Sequence, residues 1–218
     1  MKQAKEPFQF VAASYLIRIC AEKATTLAEL HRLLKTASKA SIFHHTFQSL
    51  ETYHYLTEGF TNDFAQWILA ACNEHPLAEQ VAAVDIRDYI SLDDLRARLL
   101  EIIGAYLKGN AAAGRRKSFE PFYFCEGVTI TVPTGKRACT LKEFLAGVEA
   151  ASHSSLHFHF LTSRLRVHLV SNDFSLWLRT NLDLPELAEQ IELIDIYANT
   201  LEGVRQKVLE LGQPWVEQ

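Results

Sequence analysis

The sequence predicts an α+β fold, predominantly helical, built from two tandem homologous repeats. Each repeat reads as a short β element followed by about four helices, with the two repeats related by an approximate two-fold. Three observations carry this. The stretch Asn62-Asp63-Phe64-Ala65-Gln66-Trp67-Ile68 returns as Asn172-Asp173-Phe174-Ser175-Leu176-Trp177-Leu178. Its surroundings return too: Phe8, Phe10, Thr26, Ser41 and His45 match Phe122, Phe124, Thr140, Ser155 and His159, each 114 positions on. From Asn62 on the offset is 110, and from Leu92 on 109, so the second copy lacks four residues around Thr57 to Phe60. Finally, cap residues and apolar stripes fall at the same places in both copies, as a duplication requires. The repeats are expected to span 1–108 and 118–218, with 109–117 as a solvated linker, and residues 8–107 and 122–211 are expected to superpose. A lone two-stranded hairpin is marginal in water, so the two β elements are expected side by side or in one sheet.

Within a repeat, the second copy is the clearer guide. Phe122-Tyr123-Phe124-Cys125 and Val128 to Val132 are rich in β-formers and end at Pro133-Thr134-Gly135, which predicts short strands bounded by a turn. Phe8 to Val11 and Tyr15 to Ile19 occupy the same places. Thr26-Leu27-Ala28-Glu29 and Thr140-Leu141-Lys142-Glu143 predict capping boxes opening helices with stripes Leu27, Leu30, Leu34 and Leu141, Phe144, Val148. Residues 41–47 and 155–161 fit either a helix or a strand, and Ser38 and Ser152 as N-caps favour helix. Asn62 or Asp63, and their counterparts, cap a helix whose one face carries Phe64, Trp67, Ile68 and Ala71. Pro76 and Pro185 open the next helix, and Ser91 and Asn199 the last.

A chain of 218 residues with 48% apolar residues can bury a core. Its net charge of -4 supplies no electrostatic attraction for nucleic acid or an anionic membrane, and no apolar run reaches spanning length. Four cysteines without CxxC spacing point to reduced thiols and a cytoplasmic location. Phosphate loops, nucleophile elbows and HExxH are absent from the sequence, and Thr134-Gly135-Lys136-Arg137 reads as a turn.

Ser41-Ile42-Phe43-His44-His45 and Asn62-Asp63-Phe64-Ala65-Gln66-Trp67 resemble an uncharacterised prokaryotic family carrying Ser-Ile-Tyr-Tyr-His, then Asn-Asp-Phe-x-x-Trp, then a Leu-Ala-Glu helix. The second copy matches more loosely, since Ser155-Leu156-His157-Phe158-His159 departs at the aromatic positions. The resemblance implies a shared folding unit and no activity.

The polar residues retained in both copies are His45 and His159, His54 and His168, and Asp63 and Asp173. As catalytic candidates, His45, Asp63, His159 and Asp173 could pair as acid and base. As structural residues, the aspartates cap helices and the histidines are buried beside them. The spacing from histidine to Asn-Asp-Phe shrinks from 17 to 13 residues between copies. A loop that changes length while its ends persist implies that the ends meet, so each histidine is expected at its aspartate. Such a pairing would raise the histidine pKa. His157 and His159 would share a face only on a strand, and one pair is too few ligands for zinc, so neither a metal nor another cofactor is expected. Trp67 and Trp177 read as core rather than a ligand box. Two functions remain: a non-catalytic binding or regulatory module meeting an unknown protein or small molecule, itself a candidate homo-oligomer, or an enzyme using the His/Asp pair, with or without a metal.

Overall fold

The computed structural model describes residues 2–49, 60, 62–163, 171–196 and 198–216. His54 and His168 lie outside them. The fold is α+β and mainly helical, as expected. Two strands, β1 (Phe8–Ala24) and β2 (Phe122–Ala138), form a two-stranded sheet. After β1 come α1 (Leu27–Leu34), α2 (Lys39–Phe43), a π-helical turn (His44–Gln48), α3 (Asp63–Ala70), α4 (His75–Ala82), a 3₁₀ turn (Ile86–Asp88), α5 (Leu92–Gly109) and α6 (Ala111–Arg115). After β2 come α7 (Leu141–Glu149), α8 (His153–Leu156), a second π-helical turn (His157–Thr162), α9 (Asp173–Thr180), α10 (Pro185–Glu192) and α11 (Leu201–Val216). Among the described residues, no helix is long and apolar enough to cross a membrane.

The chain divides into two compact units, Tyr15–Val128 and Met1–Ser14 with Thr129–Gln218. These limits differ from the expected 1–108 and 118–218, because residues 118–128 pack with the helices of the first unit and residues 1–14 with those of the second. In the first unit the Ser118 N–H donates to the Thr25 carbonyl at 2.8 Å, and the Phe119 N–H to the Ala71 carbonyl at 2.8 Å. In the second, the Ala4 and Lys5 N–H groups make the matching bonds to Cys139 and Asn181, at 2.7 and 3.1 Å. The stretch 109–117, expected as a solvated linker, is exposed at seven of its nine residues but is not without structure. Most of it is α6, with Ala113 and Gly114 buried and Arg116 bonded to the Glu74 carboxylate at 3.2 Å.

Each strand runs 17 residues where short segments were expected. No turn forms at Pro133-Thr134-Gly135. Gly135 takes a left-handed φ of 75°, open to glycine without penalty, and β2 continues through it. Thr134 fastens this spot, its hydroxyl donating to the Phe10 carbonyl at 2.7 Å.

The caps are largely where the sequence places them. Thr140 and Glu143 close a full capping box, and Asn62 and Asn172 each accept an N–H three residues on, at 2.9 Å. At Thr26 the hydroxyl half of the box forms, and the Glu29 carboxylate takes the N–H of Thr25, as Glu143 takes that of Cys139. The last helix of the second unit is capped by Thr200, not Asn199, with the Gly203 N–H bonded to the Thr200 hydroxyl at 3.1 Å. Both ambiguous stretches are helical. Each passes from a short α-helix into a π turn where hydroxyls bond back onto the preceding turn, Thr46 to the Ile42 carbonyl and Thr162 to the Phe158 carbonyl. Such back-bonds compete with regular helix hydrogen bonds.

Close packing in the second unit favours a glycine at one helix position. An alanine methyl at Gly147 would stand inside the buried Phe10 ring. Helix propensity alone favours alanine by about 1 kcal/mol, but overpacking a filled core costs about 1–3. Gly147→Ala is therefore expected to destabilise, by up to about 2 kcal/mol in urea unfolding. A gain in stability would show that the Phe10 ring can move aside.

Candidate functional site

In the first unit the π turn presents His45 to the start of α3. His45 Nδ1 lies 2.7 Å from Asp63 Oδ2, and its Nε2 accepts the Cys125 backbone N–H at 2.9 Å. An Nε2 that accepts carries no proton, so the proton sits on Nδ1 and is donated to Asp63: the ring is neutral. Phe64, Phe122 and Phe124 surround it, with centroids 5.4, 4.7 and 6.2 Å away. Burial among these rings lowers the His45 pKa below the usual histidine value, against the opposing bond and charge of Asp63. The expected rise is thus overturned, because desolvation of the imidazolium outweighs its partner. Trp67 completes the cluster, its indole N–H donating to the Glu120 carbonyl at 2.8 Å.

The second unit makes the same contacts with its own residues. His159 Nδ1 lies 2.7 Å from Asp173 Oδ2, and Nε2 accepts the Val11 N–H at 2.9 Å. Phe8, Phe10 and Phe174 enclose the ring, and the Trp177 indole N–H donates to the Glu6 carbonyl at 2.8 Å. All four candidates, His45, Asp63, His159 and Asp173, are therefore brought together in pairs. The backbone donors Cys125 and Val11 were missed. Their signal was available, since they too stand 114 positions apart, each one residue past a repeated Phe-x-Phe.

Among the described residues, one cluster of potential ligands has metal-ligand proximity: His44, His45 and Cys125, with ligand atoms within 4.8 Å. Its chemistry is a poor fit. Both His45 nitrogens are engaged, the His44 Nδ1 is 2.9 Å from Gln48 Oε1, and burial raises the Cys125 thiol pKa, with Asp63 adding to it. The His157 and His159 pair loses its premise, because the segment is helical rather than a strand.

Outside the His45–Asp63 pair the first unit opens into a cleft of about 530 Å³, lined by His45, Asp63, Gln66, Trp67, Phe119 and Tyr123 among others. Phe119 is 84% exposed and Tyr123 half-exposed, so the cleft presents aromatic surface beside the Asp63 carboxylate.

The model of a family of unknown function, DUF5752, matches residues 5–213. The chain belongs to that family. No curated protein matches it. A solved structure, that of OrfY from Thermoproteus tenax, is similar at 29% identity, covering 99% of this chain and 98% of that one with a TM-score of 0.85.

Proposed function

We propose that this protein is a non-catalytic binding or regulatory module of the cytoplasm, built from a duplicated unit whose copies, 1–108 and 118–218, are related by an approximate two-fold. The doubled pattern of sequence offsets and the matched contacts around His45 and His159 support the duplication. One observation carries the non-catalytic reading: both nitrogens of each histidine are committed, one to an aspartate and one to a backbone N–H. A general base needs a free lone pair within reach of substrate, and neither ring offers one. The pairs fasten a strand to a helix start instead. The face left for a partner protein or small molecule is the cleft beside Trp67, with Phe119 and Tyr123 as its exposed anchors.

The test is the titration of His45 by ¹H–¹⁵N correlation of its ring nitrogens. A neutral Nδ1–H tautomer titrating below the ordinary value near pH 6.5 is expected. Since the folded value is depressed, the stability His45 contributes is present above about pH 6.5 and is lost as pH falls through the folded value. A second reading, an enzyme using the His/Asp pair, is favoured by the placement of His45 and Asp63 on the wall of an open cleft. A ring titrating above the ordinary value with a free Nε2 would restore it.

A further inference from the structure

A cavity in the first unit lies where the second unit places a lysine. In the second unit Lys136, on β2, reaches over the end of α7 and donates its ammonium to the Ala150 carbonyl at 3.0 Å. Ser155 in the same unit donates its hydroxyl to the Val11 carbonyl at 2.7 Å. The residues 114 positions earlier are Glu22, Thr36 and Ser41. Where the second unit has a cation at a helix end, the first has an acid. A cavity of about 170 Å³ lies there, lined by Cys20, Glu22, Thr36, Ser38, Ser41 and Glu126 among others. Ser41 is only 2% exposed, yet its hydroxyl has no hydrogen-bond partner among the described residues. Glu126 occupies the position of Ala12 and accepts from the Ser38 hydroxyl while pairing with Arg18 at the surface. The thiol of Cys20 has a raised pKa, first from burial and then from the negative charges of Glu126 and Glu22.

We propose that this cavity binds a primary ammonium group carried on a short alkyl chain, with Glu22 and Glu126 as counter-charges and the Ser41 hydroxyl as an acceptor. The inference rests on the duplication reading above, which sets Glu22 against Lys136. The size also fits. A cavity of about 150 Å³ holds a six-atom ring, so this one holds a chain of about five heavy atoms. That is a lysine side chain or a small free amine.

The experiment is an NMR titration of the full chain with n-butylammonium chloride, at constant ionic strength against sodium chloride. Saturable shifts are expected at the amides of Cys20, Ser38, Ser41 and Glu126, with a Kd on the order of 1 mM, within reach of a five-atom ligand. The variant Glu22→Lys should fill the cavity with its own ammonium and weaken binding about tenfold or more. An N-acetyl-lysine amide run in parallel separates the sources. Equal binding assigns the site to a partner's lysine, and binding of n-butylammonium alone assigns it to a free amine. Absence of saturable shifts, equal shifts from 1-butanol or sodium, or unweakened binding in Glu22→Lys would each overturn the proposal. If Glu22→Lys melts higher while the wild type binds no amine, the site falls but the equivalence of the two units stands.

Discussion

Trp67→Ala and Trp177→Ala are each expected to cost about 3–5 kcal/mol in chemical denaturation, which is a large part of the total stability of a domain. Both indoles are buried, and each touches a repeated aromatic partner. Trp67 meets the edge of Phe122 at 5.7 Å, and Trp177 stacks on Phe144 at 5.1 Å and meets Phe8 at 5.6 Å. Truncation would remove that packing, leave a cavity, and take the indole N–H from the Glu6 carbonyl, or from the Glu120 carbonyl, which keeps the Ser118 hydroxyl. A phenylalanine in place of either tryptophan separates these effects, since it keeps most of the ring and loses only the N–H. Its expected cost is about 1–3 kcal/mol. If both alanine variants lose less than about 1 kcal/mol, the tryptophans are surface anchors and the core lies elsewhere.

His45→Ala is expected to cost about 3–5 kcal/mol, and His159→Ala a similar amount, measured by urea midpoint at pH 7. Each removal empties a space between aromatic rings and takes away the ring's bonds to one aspartate and one strand N–H. Asp63→Asn is the informative companion. A neutral Nδ1–H needs an acceptor, not a charge, and an asparagine oxygen supplies one, so the expected cost is only about 1 kcal/mol. Equal losses in His45→Ala and Asp63→Asn would mean a charged imidazolium in the folded protein, against the neutral tautomer.

The local features were legible in the sequence because local physics sets them. A cap hydroxyl or amide finds an N–H three residues on wherever the chain goes, so Thr140, Asn62 and Asn172 could be read directly. The meeting of His45 with Asp63 followed from a loop that changes length between fixed ends. The pKa of His45 came out with the opposite sign, because the rings of Phe122 and Phe124 that desolvate it lie some 80 residues away. Strand length was hidden for a related reason: Gly135 carries every sign of a turn, and only the pairing of β1 with β2 draws it straight. The assignment of residues 1–14 to the helices of the second repeat was equally invisible, since swapping two similar segments leaves every sequence offset unchanged.

The pairing of Met1–Ser14 with Thr129–Gln218 bears on how the protein is made. During synthesis, Tyr15–Val128 has all of its parts as soon as Val128 leaves the ribosome. Phe8 and Phe10 emerge earlier still, yet the rings that bury them, Phe144, His159 and Trp177, are not yet made. At about 5–20 residues per second, that delay is on the order of ten seconds. Throughout it, the segment of Phe8 and Phe10 stays uncovered, which makes those two rings the part of the second unit that depends longest on a chaperone.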